Sequence, residues 1–139
     1  MKTFKLILAF IFTGVMTGFA GAGHQGHPPG THEKNGITYR TFNKGDYRVL
    51  DTTGFYLYSH DQLVQGMKIA RPGTVYYFSM DGGSTILPLT IPNLERTYAQ
   101  NRTFCYRLHT DFNSDKDLVT WLPSLKTFKI KYAYAQCSK

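Results

Sequence analysis

Cysteine and glutamate are both scarce in this chain of 139 residues. There are 2 cysteines, Cys105 and Cys137, and the only glutamates are Glu33 and Glu95. A glycosidase places two carboxyl groups across the bond it cuts, and this composition offers little support for such a pair. No methionine follows Met80, so the sequence also lacks the Cys, His and Met ligand set of a blue-copper site.

Dense runs of basic residues are missing as well. Lysine and arginine total 16 against 9 acidic residues, for a net charge of +7, but the basic residues are scattered along the chain. We therefore expect no nucleic-acid partner. A modest positive balance instead favours an anionic glycan, an envelope polymer or a surface protein as partner. The alternative is that the charge only keeps the protein soluble.

The one long apolar run lies at the N-terminus. Lys2 and Lys5 precede apolar residues 6–19, and the small residues 20–22, Ala-Gly-Ala, follow. This order is typical of a signal peptide, and the run is short for a membrane span. We predict that residues 1–22 are cleaved, that the protein is secreted or periplasmic, and that no transmembrane span remains. The alternative is an uncleaved N-terminal anchor.

Residues 23–35 are rich in histidine, glycine and proline, which predicts a flexible tail. They contain His24, His27 and His32. Neutral imidazole binds Cu(II) well, and cleavage after Ala22 would place His24 second, where the terminal amine, an amide nitrogen and the imidazole can chelate copper. Copper binding by this tail is therefore an alternative function. The tail is otherwise a spacer with incidental histidines.

Residues 36–139 predict a single all-β domain. Alternating residues 37–42, 46–51 and 55–59 are separated by turn-forming Asn, Gly and Thr residues. Residues 75–80 are nearly all β-branched or aromatic, which favours a buried strand. About eight short strands with frequent turns are typical of an antiparallel β-sandwich, Ig-like or jelly-roll-like, or of a barrel.

Several turns within this domain follow from glycine and proline. Pro72-Gly73 predicts a turn after a strand over residues 64–70, which we favour over a helix beginning near Ser59. Asp81-Gly82-Gly83 predicts a hairpin turn, with residues 84–87 as the return strand. Residues 93–101 are polar, with room for one short helical turn.

The two cysteines predict one disulfide in an exported protein. Residues 103–111 and 127–137 alternate, and each cysteine lies on the more polar face of its predicted strand. We expect two antiparallel neighbouring strands with Cys105 opposite Cys137. A closed loop of this length stabilises a fold by about 3–4 kcal/mol in the chain-entropy model.

Oxygen ligands alternate in one segment of the chain. Asp111, Asn113, Asp115 and Asp117 have the spacing of a calcium loop, so calcium is a second candidate metal. The sixth position is Lys116 instead of glycine, and no acidic residue stands at the twelfth. The other interpretation is a solvated turn in which Asp and Asn bond the local backbone.

Two histidines have an aspartate nearby, as a hydrolase requires. His60 precedes Asp61, and His109 precedes Asp111 by two residues. No serine lies in a glycine-flanked nucleophile elbow, so a small secreted hydrolase is only the second alternative function.

Tyrosine is abundant, with 10 in the chain. It suits binding surfaces because the ring is rigid and carries a polar group. Tyr56, Tyr58 and Tyr76 are the candidate ligand-binding residues, with Tyr56 and Tyr58 on the opposite face from Phe55 and Leu57. The alternative is that these tyrosines only fill strands. We expect a non-enzymatic binding module for glycans, anionic envelope polymers or a host or cell surface.

Overall fold

A computed structural model describes residues 30–65, 69–83 and 85–138, and these form a mostly β fold. Six strands make one open antiparallel sheet whose edges are β1 and β6. In order they are β1 Thr31–Lys34, β2 Ile37–Phe42, β3 Gly45–Asp51, β4 Tyr56–Gln65, β5 Ala70–Ser79 and β6 Leu87–Pro88. The remaining elements are α1 Ile91–Thr97, α2 Arg102–Asp111, α3 Asp115–Leu118, the two-stranded sheet of β7 Trp121–Leu122 and β8 Thr127–Phe128, and α4 Lys129–Cys137. The expected antiparallel, mostly β body is confirmed.

The first hairpin begins within the segment predicted to be a flexible tail. Asn35 and Gly36 both have positive φ, at 53° and 72°, which is the geometry of a two-residue hairpin turn. The turn lets β1 pair with β2, so that His32 lies opposite Tyr39. The prediction of a tail over 23–35 is therefore wrong for residues 30–35. The predicted signal peptide, His24 and His27 lie outside the described residues.

The longest hairpin joins β4 and β5. Residues 59–65 are strand, so the alternative helix near Ser59 does not form. The favoured strand over residues 64–70 is wrong, because β4 ends at Gln65 and β5 begins at Ala70, and the turn predicted at Pro72-Gly73 is wrong as well. Pro72 pairs with Leu63 inside the ladder. Because β6 pairs only with Tyr77 and Phe78, the other edge of β5 is open at Pro72, where a missing N–H is tolerated. The return strand is β6, which is shorter and later than residues 84–87.

Residues 103–111 and 127–137 are mainly helical, so the two predicted strands are corrected to α2 and α4. Phe104 and Leu108, four residues apart, satisfy both an alternating and a helical pattern, and both are fully buried. The residue between them, Tyr106, is exposed. The Asn101 side chain accepts a hydrogen bond from the Phe104 N–H, which caps the start of α2.

The layer packed on the sheet is therefore helical. Leu57 and Phe78 from the sheet share one buried cluster with residues of α1, α2 and α4, among them Leu94, Phe104 and Ile130. The described residues do not form the face-to-face second sheet of the predicted sandwich. Trp121 is half exposed on β7 and packs edge-on against Phe128. Within the described ranges, every helix is too short or too polar to cross a bilayer.

Candidate functional site

A straight row of side chains crosses four strands on the face of the sheet that also carries Leu57 and Phe78. Tyr39 of β2 lies opposite Arg48 of β3, Arg48 lies opposite Ser59 of β4, and Ser59 lies opposite Tyr76 of β5. Paired residues on neighbouring strands share a face, so the four side chains project together. With strands about 4.8 Å apart, the two tyrosines stand about 14 Å from each other.

The row lines an open groove of about 460 Å³. Leu50 and Phe128, which both pack against the main core, form the apolar end of this groove. Tyr39 and Tyr76 are half-buried, while Arg48 is exposed. The groove thus combines aromatic rings anchored by the sheet with a hydroxyl and a guanidinium between them. Concave sites that bind small molecules typically have this mixture of apolar walls and a few polar groups.

Two carboxylates border the row. The Thr74 hydroxyl donates to Asp61 at 2.6 Å, and the Thr41 hydroxyl donates to Asp46 at 2.7 Å. His32 Nε2 lies 3.5 Å from the other Asp46 oxygen, so the histidine predicted to bind metal instead faces a carboxylate at the groove's outer end. Two aspartates against one arginine leave the groove without a positive excess. A strongly polyanionic ligand is therefore a poor match for it.

The histidine and aspartate pairs considered for a hydrolase do not form. His60 lies on the opposite face from Asp61, stacks on Tyr47, and its Nδ1 is bonded to the Asp46 carbonyl. His109 pairs with Glu95. Asp111 instead contacts Arg107 at 3.6 Å. Neither histidine is therefore oriented by its predicted aspartate, as a catalytic base would be.

The three tyrosines predicted as ligand contacts lie on two faces. Tyr76 ends the row in the groove. Tyr56 and Tyr58 stack on each other on the opposite face, away from Phe55 and Leu57 as expected. Tyr58 is fully buried, and its phenol lies 3.2 Å from the Ser79 hydroxyl. Sequence reasoning missed Tyr39 and Arg48, although the Asn35-Gly36 turn could have placed Tyr39 in register.

The oxygen ligands predicted for calcium serve the backbone around α3. Asp117 accepts hydrogen bonds from the N–H groups of Asn113 and Ser114. Asp115 accepts from the Ile91 N–H at 2.8 Å, which ties α3 to the start of α1. Within the ranges that the structure describes, no three His, Cys, Asp or Glu side chains gather into a set able to hold a metal ion.

Cys105 and Cys137 are not bonded to each other in this structure, and they lie at the same end of the α2 and α4 pair. Asn101 donates from its amide to the Cys137 carbonyl at 3.3 Å, and Cys105 follows Asn101 by one helical turn. Burial, followed by the charge of Glu95, raises the pKa of the Cys105 thiol. Asn101-Arg102-Thr103 also has the sequence of an N-glycosylation site. The Asn101 side chain uses both its nitrogen and its oxygen in hydrogen bonds, so it is poorly placed to carry a glycan.

Comparison with known families, with curated proteins and with solved structures returned no match for this chain.

Proposed function

We propose that this protein is an exported, non-enzymatic binding module whose ligand is a glycan held in the groove. The observation that carries the proposal is the row of Tyr39, Arg48, Ser59 and Tyr76, with an aromatic ring at each end and polar groups between. A sugar ring has an apolar C–H face and a rim of hydroxyls. The tyrosine rings suit the first, and the arginine and serine suit the second.

Two features narrow the ligand class. The distance of about 14 Å between the tyrosines suits several linked sugar rings rather than one. Asp46 and Asp61 offset the charge of Arg48, which favours neutral or weakly charged sugars over an anionic envelope polymer. Aspartates also accept hydrogen bonds from sugar hydroxyls. A glycan of a cell or host surface has this chemistry.

A glycan array with the mature protein tests the proposal, followed by titration of the best neutral oligosaccharide. Tyr39→Ala and Tyr76→Ala should each weaken its binding by about tenfold or more, as central aromatic contacts do. The matched control is Tyr106→Ala, because Tyr106 is an exposed tyrosine on α2 outside the groove. The proposal fails if no neutral or weakly charged glycan binds, or if the control weakens binding as much as the groove variants.

Export is part of the same proposal. Residues 1–22 act as the signal peptide, and the mature protein is secreted or periplasmic, where thiols oxidise. The hydrogen bond between Asn101 and the Cys137 carbonyl supports a disulfide between Cys105 and Cys137, because it holds the two cysteines at one end of the helix pair. Mass spectrometry of the exported protein after alkylation should show no free thiol. Two alkylated cysteines would contradict the disulfide.

A further inference from the structure

Arg40 is a buried cation on the face of the sheet opposite the groove. It lies on β2, is 7% exposed, and its Nη1 is buried without a hydrogen-bond partner among the residues that the structure describes. A buried charge is costly unless it is paired and hydrogen-bonded. The guanidinium carries five N–H donors in a planar fork that matches an oxyanion. The donor at Nη1 therefore requires an explanation.

Aromatic rings surround this guanidinium. Its central carbon lies 5.2 Å from the ring centre of Phe42, which stacks edge-on against both Tyr47 and Tyr58. Burial raises the pKa of the Tyr58 phenol, although Ser79 and Arg40 act in the opposite direction. Tyr58 thus stays protonated and does not neutralise Arg40. The rings attract the cation, and the Tyr58 hydroxyl faces the guanidinium, but Nη1 itself finds no acceptor oxygen among the described residues.

No acidic side chain of this chain supplies the missing charge. All 9 aspartates and glutamates fall within the described residues, and none forms an ion pair with Arg40. Asp81, on the segment after β5, is exposed and accepts instead from the Gly83 N–H at 2.7 Å. The described acidic side chains therefore leave the Arg40 guanidinium without a carboxylate partner.

Gly82, in the segment that follows β5, covers the Arg40 guanidinium. Gly82 has φ of +67°, and a Cβ on it would lie 2.9 Å from Arg40 Nη1 and 2.6 Å from the Tyr56 ring. Only glycine is therefore accommodated there. Displacing this one residue uncovers both the fork of Arg40 and the phenol of Tyr56, which are donors suited to the same oxygen atoms.

We propose that Arg40 anchors a single oxyanion group, a carboxylate, sulfate or phosphate, in a pocket formed with Tyr56 and Tyr58 beneath Gly82. The site is separate from the groove and does not depend on the glycan proposal. The oxyanion accepts from the guanidinium and from the Tyr56 hydroxyl. Binding replaces the contact of Gly82 with Arg40 and neutralises the buried charge.

Thermal unfolding of the mature protein in sodium sulfate, phosphate or acetate tests this, with sodium chloride at equal ionic strength as reference. At saturating oxyanion the wild type should gain about 4 °C or more in Tm. Arg40→Met, which keeps the length but not the charge, should lose that gain. Arg71→Met, an exposed arginine of the same sheet, should keep it. An acidic oligosaccharide such as an oligogalacturonate, run in parallel, distinguishes a glycan carboxylate from a free ion as the source.

Equal Tm values for the wild type in oxyanion and chloride would overturn the proposal. So would an Arg40→Met protein that responds to oxyanion as the wild type does. If Arg40→Met does not fold, Arg40→Lys gives the second comparison. It keeps the charge without the planar fork, and isothermal titration should show oxyanion affinity reduced by about tenfold. Unchanged affinity in Arg40→Lys would also contradict the assigned geometry.

Discussion

The two faces of the six-stranded sheet each bury a cation next to a phenylalanine, but only one of these cations is paired. Lys131 of α4 lies on the helix-covered face, 4.0 Å from the Phe55 ring centre and 3.3 Å from an Asp51 oxygen. It also donates to the Phe55 carbonyl. Arg40 lies on the other face over Phe42 without a carboxylate. Lys131 therefore joins two layers of the fold, whereas Arg40 is the cation that we propose for a ligand.

The faces also exclude water by different means. The helix-covered face buries Leu57 and Phe78 against side chains of the helical layer, among them Leu94, Phe104 and Tyr98. On the other face, Tyr47 and Tyr58 lie outside that cluster and are covered largely by stacked neighbours such as Phe42, His60 and Tyr77. Amphipathic rings bury area while keeping polar groups close by. A guanidinium is more easily held among such rings than among aliphatic groups.

Removing Lys131 should therefore lower the free energy of unfolding, whereas removing Arg40 should change it little or raise it. The larger effect is expected at Lys131. Lys131→Met leaves the Asp51 carboxylate without its partner, so we expect a loss of about 2 kcal/mol in the free energy of unfolding, reduced from the usual cost because Asp51 is partly exposed. Arg40→Met, measured without oxyanion, should cost little or even stabilise. Urea unfolding measures both. Lys116→Met, at an exposed position of α3, is the control and should change stability by less than about 0.5 kcal/mol.

The stability deficit of Lys131→Met should depend on pH. Burial lowers the pKa of Lys131 below its ordinary value of 10.5, and Asp51 only partly offsets this. Between the lowered pKa and 10.5 the unfolded chain binds more protons than the folded one, so the wild type gains stability as pH rises. Lys131→Met lacks this gain, and its deficit relative to the wild type should grow towards pH 10.5. A pH-independent deficit would show that burial of Lys131 does not outweigh its pairing with Asp51.

The N-terminal hairpins could be predicted from sequence because their signals are local. Asn35-Gly36 dictates a two-residue turn, and alternation then assigns each following residue to a face. In the C-terminal part the signal is ambiguous, since Phe104 and Leu108 suit both a strand and a helix. The exposure of Tyr106 distinguishes the two and depends on tertiary packing. The cap at Asn101 is a local signal for the helix, three residues before Phe104, but it competes with the alternating pattern that follows it.

Only single residues of the groove could be predicted from the sequence, and not their alignment. Tyr76 was recognised as a candidate, but its alignment with Tyr39 depends on the register of four strands, including an irregularity between Val49 and Asp51. A single slip of register would move a tyrosine to the other face. The burial of Arg40 has no local signal at all, because its closure by Gly82 joins residues far apart in sequence.

The smallest effects should come from two buried phenols, one on each face of the sheet. Tyr58 shares a hydrogen bond with Ser79 on the face opposite the helices. The Tyr98 hydroxyl is instead buried in the helix-covered core, without a partner in the described part of the chain. Burial, then the neighbouring Tyr134, raises the pKa of Tyr98 well above its ordinary value, so this phenol stays neutral. Tyr58→Phe should cost about 1 kcal/mol through the lost hydrogen bond, and Tyr98→Phe should stabilise by about 1 kcal/mol by removing an unpaired polar group.

Urea unfolding of the two matched variants measures both signs in one experiment. Each removes a single oxygen from a buried tyrosine, so the change in size is the same. Opposite signs would show that the phenol hydroxyl stabilises the fold at Tyr58 and destabilises it at Tyr98. If Tyr98→Phe is instead destabilising by as much as Tyr58→Phe, the core holds an acceptor or a water for Tyr98, and the two faces are less different than their side chains indicate.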